Sequence, residues 1–264
     1  VSELLVLGVS HNTAPVQIRE RIALTDAAAE GFLGELGGAA SEAVVLSTCN
    51  RTELYLVATD PVETESAVLS LLARRAGIRP TELLESIYTH RNCDAARHLF
   101  RVTSGLDSMV IGEAEVQGQV KRAYEQALAA RTTGPLTNQL FRAALATGKR
   151  VRTETAIGAG RHSLASVAVD LAEDALGDLT ERRVLIIGAG ETAELTAQAL
   201  SERGVSTLFV ANRRRERARA LADRFGGAVA SFDELPEELE RADIVIASTS
   251  SPHAILGAEE LALV

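Results

Sequence analysis

Residues R183-V-L-I-I-G-A-G-E-T-A193 decide how the last third of this chain folds. Val184–Ile187 is a short, wholly apolar run, as expected of a strand buried on both faces of a parallel sheet. It leads straight into G188-A-G-E-T-A193, which fits the G-x-G-x-x-G/A fingerprint of a nucleotide-binding turn. Gly188 permits the tight turn from strand to helix, Gly190 lets backbone approach a pyrophosphate, and small Ala193 allows close packing of helix on strand. Backbone N–H groups of Ala189, Gly190, Glu191 and Thr192 then face the anion at the helix start. An alanine-rich helix follows, then T207-L-F-V-A-N-R213, another helix, a weak strand near 228–232, and D243-I-V-I-A-S-T249. This strand–helix alternation predicts a doubly wound parallel sheet. A six-stranded version would need about two further strands beyond Thr249, so the chain reads as a fragment of a longer protein.

The end of the second strand sets the cofactor type. An NAD site places Asp or Glu there, to accept from the ribose 2′-OH. Here A211-N-R-R-R215 puts Asn212, Arg213 and Arg214 at that point, 24 positions beyond Gly188. Paired guanidinium groups suit a 2′-phosphate. Three cations at a helix start are otherwise unfavourable. The spacing predicts NADP(H).

The first third reads as an α+β unit. Residues 4–9, 43–48 and 53–58 are strand-like, and Thr25-Asp26 opens a helix that stops at Gly37-Gly38. After Pro61 the pattern turns helical, with further helices over 115–131 and 136–152. A glycine-bearing junction at 157–161 leads to a connector helix ending at Gly177. The predicted boundaries are 1–157 for a catalytic unit, 158–178 for the connector and 179–264 for the nucleotide unit.

In the first unit, L46-S-T-C-N-R51 carries a cysteine flanked by polar residues. Cys49 could be packing, half of a disulfide, a metal ligand or a nucleophile. It and Cys93 are the only cysteines and form no C-x-x-C pair, which disfavours a structural metal site. A thiolate beside a nicotinamide-type domain suggests acyl transfer to sulfur followed by reduction. Arg51 would either lower the thiol pKa or bind a substrate carboxylate. Of the histidines, His11 reads as ordering the loop under the cysteine, and His90 and His253 as surface or loop residues.

Composition bounds the rest. Net charge is −9 and aromatics are 3% with no Trp, which excludes general DNA affinity and recognition by base stacking. Between Lys121 and His162, eight Lys/Arg face two Glu, a local balance of +6 against −15 elsewhere. Lys149, Arg150 and Arg152 are the candidates for a polyanion contact. No basic leader or long apolar run is present, so a cytoplasmic location without a membrane partner is expected.

Six stretches in order, GVSHNTAP (8–15), LSTCNRTELY (46–55), SGLDSMVIGE (104–113), GQVK (118–121), KRVRTET (149–155) and GAGETA (188–193), closely resemble the glutamyl-tRNA reductases. The resemblance implies NADPH-dependent reduction of glutamyl-tRNA to glutamate-1-semialdehyde, the first step of tetrapyrrole synthesis from glutamate. It places Cys49 on the family's nucleophile and His98 on a histidine important for activity. It maps the substrate site onto Thr48, Cys49, Asn50, Arg51, Ser108, Glu113, Ala114, Glu115 and Gln119. Relatives often carry Pro-Gln or Gln-Gln where Ala114-Glu115 stands, and small residues where His162 stands. The family also implies a third, dimerising domain, contact with glutamate-1-semialdehyde aminotransferase, and haem feedback. A shikimate-type dehydrogenase would share the nucleotide half without needing Cys49. A non-catalytic tRNA-binding paralogue would not need an intact Cys49, Arg51 and His98.

Overall fold

The computed structural model describes residues 2–158, 164–249 and 255–257. His162, His253 and most of the 157–163 junction lie outside the described residues. The chain divides into two units, Val1–Gly160 and Arg161–Val264.

The first unit contains β1 (Glu3–Ser10), α1 (Val16–Ile22), α2 (Asp26–Leu36), β2 (Glu42–Ser47), β3 (Arg51–Ala58), α3 (Pro61–Ala76), α4 (Pro80–Leu84), β4 (Tyr88–Arg91), α5 (Asn92–Thr103), α6 (Glu115–Ala129) and α7 (Pro135–Glu154). Its antiparallel sheet runs β2-β3-β1-β4. β3 is buried at all eight positions, so both faces of the sheet are covered. Alternation along the strand places Arg51, Glu53 and Tyr55 on one face. There Tyr55 meets Phe141 of α7 edge-on, and Glu53 meets His98 of α5. Leu24, at the entry to α2, donates its N–H to Ser47 on the opposite face.

The local stops are chemical. The Thr25 hydroxyl accepts from Ala28 N–H at the start of α2, as an N-cap should. Asp60 caps α3 the same way, and Gly77 ends it at φ 61°. The start of α7 is capped from outside. Buried Glu42 on β2 accepts from the backbone N–H of Leu136 and Thr137 and from the Thr137 hydroxyl, at 3.3, 2.7 and 2.6 Å. A carboxylate there satisfies orphan donors and complements the helix dipole.

Three elements depart from the sequence expectation, the first being α1, a helix where none was expected. Residues 88–91 form an edge strand where a helical pattern was expected, because four mostly polar residues show no periodicity and only pairing with β1 makes them a strand. The third strand begins at Arg51 rather than Glu53, which brings Arg51 into line with Glu53 and Tyr55.

The second unit contains α8 (Leu164–Leu176), β5 (Arg183–Ile187), α9 (Glu191–Glu202), β6 (Thr207–Ala211), α10 (Arg215–Arg224), β7 (Ala228–Ala230), α11 (Leu235–Arg241) and β8 (Ile244–Ala247). Its sheet is parallel with order β7-β6-β5-β8. Numbered from β5, that is 3-2-1-4, the first four strands of the dinucleotide-binding arrangement. Val184–Ile187 are all buried. Helix α8 packs within this unit through Val169, and Arg203, just after α9, pairs with its Asp170 and Glu173.

Replacing Glu42 by Ala leaves buried donors at the α7 start unsatisfied. It should destabilise the protein by about 1–3 kcal/mol, read as a lower midpoint in urea unfolding of the full chain.

Candidate active site

The motif T48-C-N-R51 closes the β2–β3 hairpin. Thr48 N–H donates to the Arg51 carbonyl at 2.8 Å. The Thr48 hydroxyl accepts from the N–H groups of Asn50 and Arg51 at 3.2 and 3.1 Å. Cys49 and Asn50 therefore sit at the hairpin tip, and Cys49 is free and exposed. Neither a disulfide nor a packing role fits that position. Among the described residues no group of His, Cys, Asp or Glu is arranged to hold a metal.

Two side elements hold the tip. Arg19 of α1 donates to the Cys49 carbonyl at 2.8 Å and to Asn50 Oδ1 at 3.3 Å. His11 donates its backbone N–H to the Asn50 carbonyl at 2.8 Å. The ordering expected of His11 comes from its main chain, since its Nδ1 is buried without a hydrogen-bond partner. Burial and then the Arg51 charge lower the His11 pKa. Sequence reasoning did not single out Arg19, whose signal lies thirty residues from the cysteine.

Behind the tip lies a cluster that the sequence only half announced. Glu53 is fully buried, and Arg51 nearly so. Glu53 Oε1 accepts from Arg51 Nη1 and Tyr88 Oη, both at 2.6 Å, and lies 2.9 Å from His98 Nε2. Its Oε2 accepts from Tyr55 Oη at 2.5 Å. Burial by itself would raise the Glu53 pKa. The Arg51 charge, then His98 and the Tyr55 hydroxyl outweigh it and hold the carboxyl well below the usual range. Burial and the Glu53 charge push the Tyr55 and Tyr88 hydroxyls up, so both stay protonated donors. The His98 ring packs against both Tyr88 and His90, with centroids 5.3 and 4.9 Å away, and those two rings touch each other at 5.3 Å. This corrects the reading of His90, which stands on β4 opposite Val6.

Gly8 makes the cluster possible. It lies in register between Glu53 on β3 and Tyr88 on β4. A Cβ there would lie 2.8 Å from Glu53 Cγ and 3.1 Å from Tyr88 Oη. Without a side chain on the central strand, groups from its two neighbours meet across it.

The remaining first-unit candidates lie in the loop after α5 and on α6. Arg51 also pairs with Asp107, through Oδ2 at 3.2 Å and the backbone carbonyl. Ser108 follows it, with a buried Oγ that has no hydrogen-bond partner. Gly112 at φ 84° and Glu113 are clamped through their carbonyls by Arg152 of α7. Arg152 is thus committed to this loop rather than presented to a polyanion. Ala114 is exposed before α6, and Glu115 opens that helix. Gln119 lines a cleft of about 230 Å³ shared with Ser47, Asp26, Arg122 and Gln126.

The thiol is not activated at rest. Partial desolvation, then the Glu113 charge, with Glu115 further behind, raise the Cys49 pKa, and Arg19 only partly offsets them. Arg51 is engaged by Glu53 and Asp107, and the expected lowering of the thiol pKa is not seen.

In the second unit the glycine turn has the anticipated shape. Gly188 sits at φ 122°, and a Cβ there would lie 2.1 Å from the Ser248 carbonyl at the end of β8. Gly190 precedes α9 with open space before it, Ala189 and Glu191 flank it, Thr192 lies in the first turn, and Ala193 is buried. Asn212 is half-buried after β6, and Arg213 and Arg214 are exposed. Ser248 Oγ, beside Gly188, is buried with no hydrogen-bond partner. A cradle with an orphan hydroxyl and two exposed guanidinium groups fits a phosphorylated dinucleotide.

These features define a class: an α+β unit with a thiol at a hairpin tip and a buried charged cluster beside it, in one chain with a doubly wound dinucleotide-type unit. The family model described as "Glutamyl-tRNAGlu reductase, N-terminal domain" matches residues 7–155, and the one described as "Shikimate / quinate 5-dehydrogenase" matches residues 170–264. The chain belongs to the glutamyl-tRNA reductase family. It is 48% identical over 261 residues to the glutamyl-tRNA reductase of Rubrobacter xylanophilus, covering 98% of this chain and 61% of that protein. Against the Deinococcus radiodurans enzyme it is 45% identical over 261 residues, covering 98% and 72%. The solved structure of the Methanopyrus kandleri glutamyl-tRNA reductase aligns at TM-score 0.56 and 37% identity, over 98% of this chain and 62% of that one. The chain thus spans less than two thirds of the Rubrobacter relative's length. No described helix is long and apolar enough to cross a membrane.

Two measurements check this electrostatics. In a Cys93→Ser background, Glu113→Gln should lower the Cys49 pKa and speed its alkylation at neutral pH, followed by iodoacetamide labelling against pH. A depressed native carboxyl contributes stability above the unfolded glutamate pKa of about 4.3 and loses it as pH falls. The stability gap between wild type and Glu53→Gln should therefore be constant above about pH 5 and narrow in acid, as seen by urea unfolding at each pH.

Proposed function

We propose that this chain carries the catalytic and nucleotide units of an NADPH-dependent glutamyl-tRNA reductase. The observation that carries the reading is Cys49, displayed at a hairpin tip directly before the Arg51–Glu53–His98 cluster, in a chain of this family. Cys49 Sγ, as thiolate, attacks the glutamyl carbonyl carbon. The carbon–oxygen ester bond to the terminal ribose breaks, and the ribose oxygen leaves with a proton as free tRNA. The resulting thioester is reduced to glutamate-1-semialdehyde with return of the thiolate, at the start of tetrapyrrole synthesis.

The residues divide this work. Arg51 selects glutamate by its side-chain carboxylate, which joins or replaces Asp107, the more exposed of its two present partners. Thr48 and Asn50 hold the tip. Ser108 presents a hydroxyl with no internal partner, and Glu113, Ala114, Glu115 and Gln119 frame the approach. His98 is the acid–base group. Gly188, Ala189, Gly190, Glu191, Thr192 and Ala193 would hold the pyrophosphate of NADPH, with Asn212, Arg213 and Arg214 on the 2′-phosphate. Bound there, NADPH supplies the hydride.

Glutamyl-tRNA is engaged through phosphate charge and shape. Lys121, Arg122, Arg131, Arg142, Lys149 and Arg150 are exposed and available for this; Arg152 is not. In the whole protein the same reading extends to a homodimer, to contact with glutamate-1-semialdehyde aminotransferase, to haem feedback and to a cytoplasmic location.

Incubating the chain with glutamyl-tRNA in the absence of NADPH should leave a glutamyl adduct on Cys49, detected by mass spectrometry. Cys49→Ser should abolish it, and semialdehyde formation by that variant would sink the thioester route. Arg213→Ala with Arg214→Ala should weaken NADPH binding by about tenfold or more while leaving NADH nearly unchanged, measured by fluorescence titration.

A further inference from the structure

We propose that Glu53 is the positioning residue of this site: its carboxylate fixes His98 as the Nε2–H tautomer and so assigns proton transfer to Nδ1. The assignment of a reaction to that proton rests on the reading above, but the tautomer itself does not.

The argument is a count of donors and acceptors. An ionised carboxylate only accepts. Three groups converge on Glu53 Oε1: Arg51 Nη1, Tyr88 Oη and His98 Nε2, all within 2.9 Å. Arg51 can only donate, and the Tyr88 hydroxyl, held protonated, has one hydrogen to give: it lies 2.6 Å from the charged Glu53 Oε1 and 3.4 Å from His98 Nε2, so it donates to the carboxylate and leaves Nε2 without a donor of its own. A lone pair on His98 Nε2 would face the lone pairs of a fully buried, ionised carboxylate 2.9 Å away, a repulsion that a hydrogen on Nε2 turns into a charge-assisted hydrogen bond. Nε2 therefore carries hydrogen, and in the neutral ring the lone pair lies on Nδ1. The ring cannot readily swing to exchange its two nitrogens, because Tyr88 and His90 pack against it. Glu53 acts only through other groups. Its side chain is fully buried and shows substrate no surface, yet it orders both Arg51 and His98.

This gives Glu53→Gln a distinctive expected behaviour. Three donors face Oε1 and one hydroxyl faces Oε2, so the amide oxygen takes the Oε1 place. The amide NH₂ then turns to Tyr55, whose hydroxyl can accept instead. The tautomer should survive although the charge is gone. Glu53→Ala removes the acceptor altogether.

The test uses the full chain labelled with ¹⁵N-histidine, with the His98 signals assigned by loss in His98→Gln. Wild type and Glu53→Gln should both show His98 as Nε2–H, and Glu53→Ala a mixture with Nδ1–H. In single-turnover acylation by glutamyl-tRNA, Glu53→Ala should lose about 100-fold or more in rate, with a smaller change in half-saturation. A purely structural Glu53 would lower stability and leave the tautomer unmoved. An Nδ1–H His98 in wild type, or loss of Nε2–H in Glu53→Gln, overturns the proposal. If Glu53→Ala does not fold, those two readings decide it alone. If no acyl adduct forms on wild-type Cys49, the functional reading fails while the tautomer result is still read.

Discussion

The Glu53 carboxylate has exchanged all of its water for four protein donors, and the rest of the first unit's site hangs on that exchange. A buried charge left without partners costs several kcal/mol, so Arg51, Tyr55, Tyr88 and His98 must all arrive for the sheet to close over it. The same requirement ties together elements distant in sequence. Arg51, Glu53 and Tyr55 come from one strand, Tyr88 from an edge strand, and His98 from the helix packed on β1 and β4. Arg51 then extends the network outward to Asp107 and to the loop bearing Ser108 and Glu113.

Beside this buried cluster, Cys49 stands exposed. It occupies the tip of a two-residue turn, held through its carbonyl by Arg19 and through Asn50 by His11. Its acidic neighbours Glu113 and Glu115 disfavour the thiolate. Precise backbone placement is thus combined with a thiol kept protonated at rest. The electrostatics places reactivity under the control of whatever next enters the site, since a ligand that neutralises or displaces those carboxylates shifts the thiol toward thiolate.

The nucleotide half was legible in the sequence because its signals are local. A buried strand, a glycine turn and a helix start lie within eleven residues, and the arginines fall at the expected distance beyond them. The alternation predicted a doubly wound parallel sheet, and the structure has one, with its strands in the order 3-2-1-4. The hairpin cysteine and Arg51 were also legible, since the motif is contiguous. Glu53, Tyr88, His90, Asp107 and Arg19 were not. Each is an ordinary polar residue in a one-dimensional reading and gains meaning only from strand register or from a contact across 30 residues or more. Arg152 shows the converse error. Its charge suggested a polyanion surface, but its geometry assigns it to two loop carbonyls.

Register explains why such a site can be exact although its parts are scattered. Side chains alternate along a strand with period two, so a slip of one residue between β1 and β3 would send Arg51, Glu53 and Tyr55 to the opposite face. The true register pairs Gly8 with both Glu53 and Tyr88. A slip would bring Leu7 or Val9 to that crossing point, and their side chains would fill the gap through which the carboxylate reaches the tyrosine. It would also move the Glu53 charge away from Tyr88 and His98, the partners that other elements supply. The gap in the central strand and the buried charge therefore select the same alignment, one by space and the other by electrostatics. The chemistry of the site and the folding of the sheet are here one constraint.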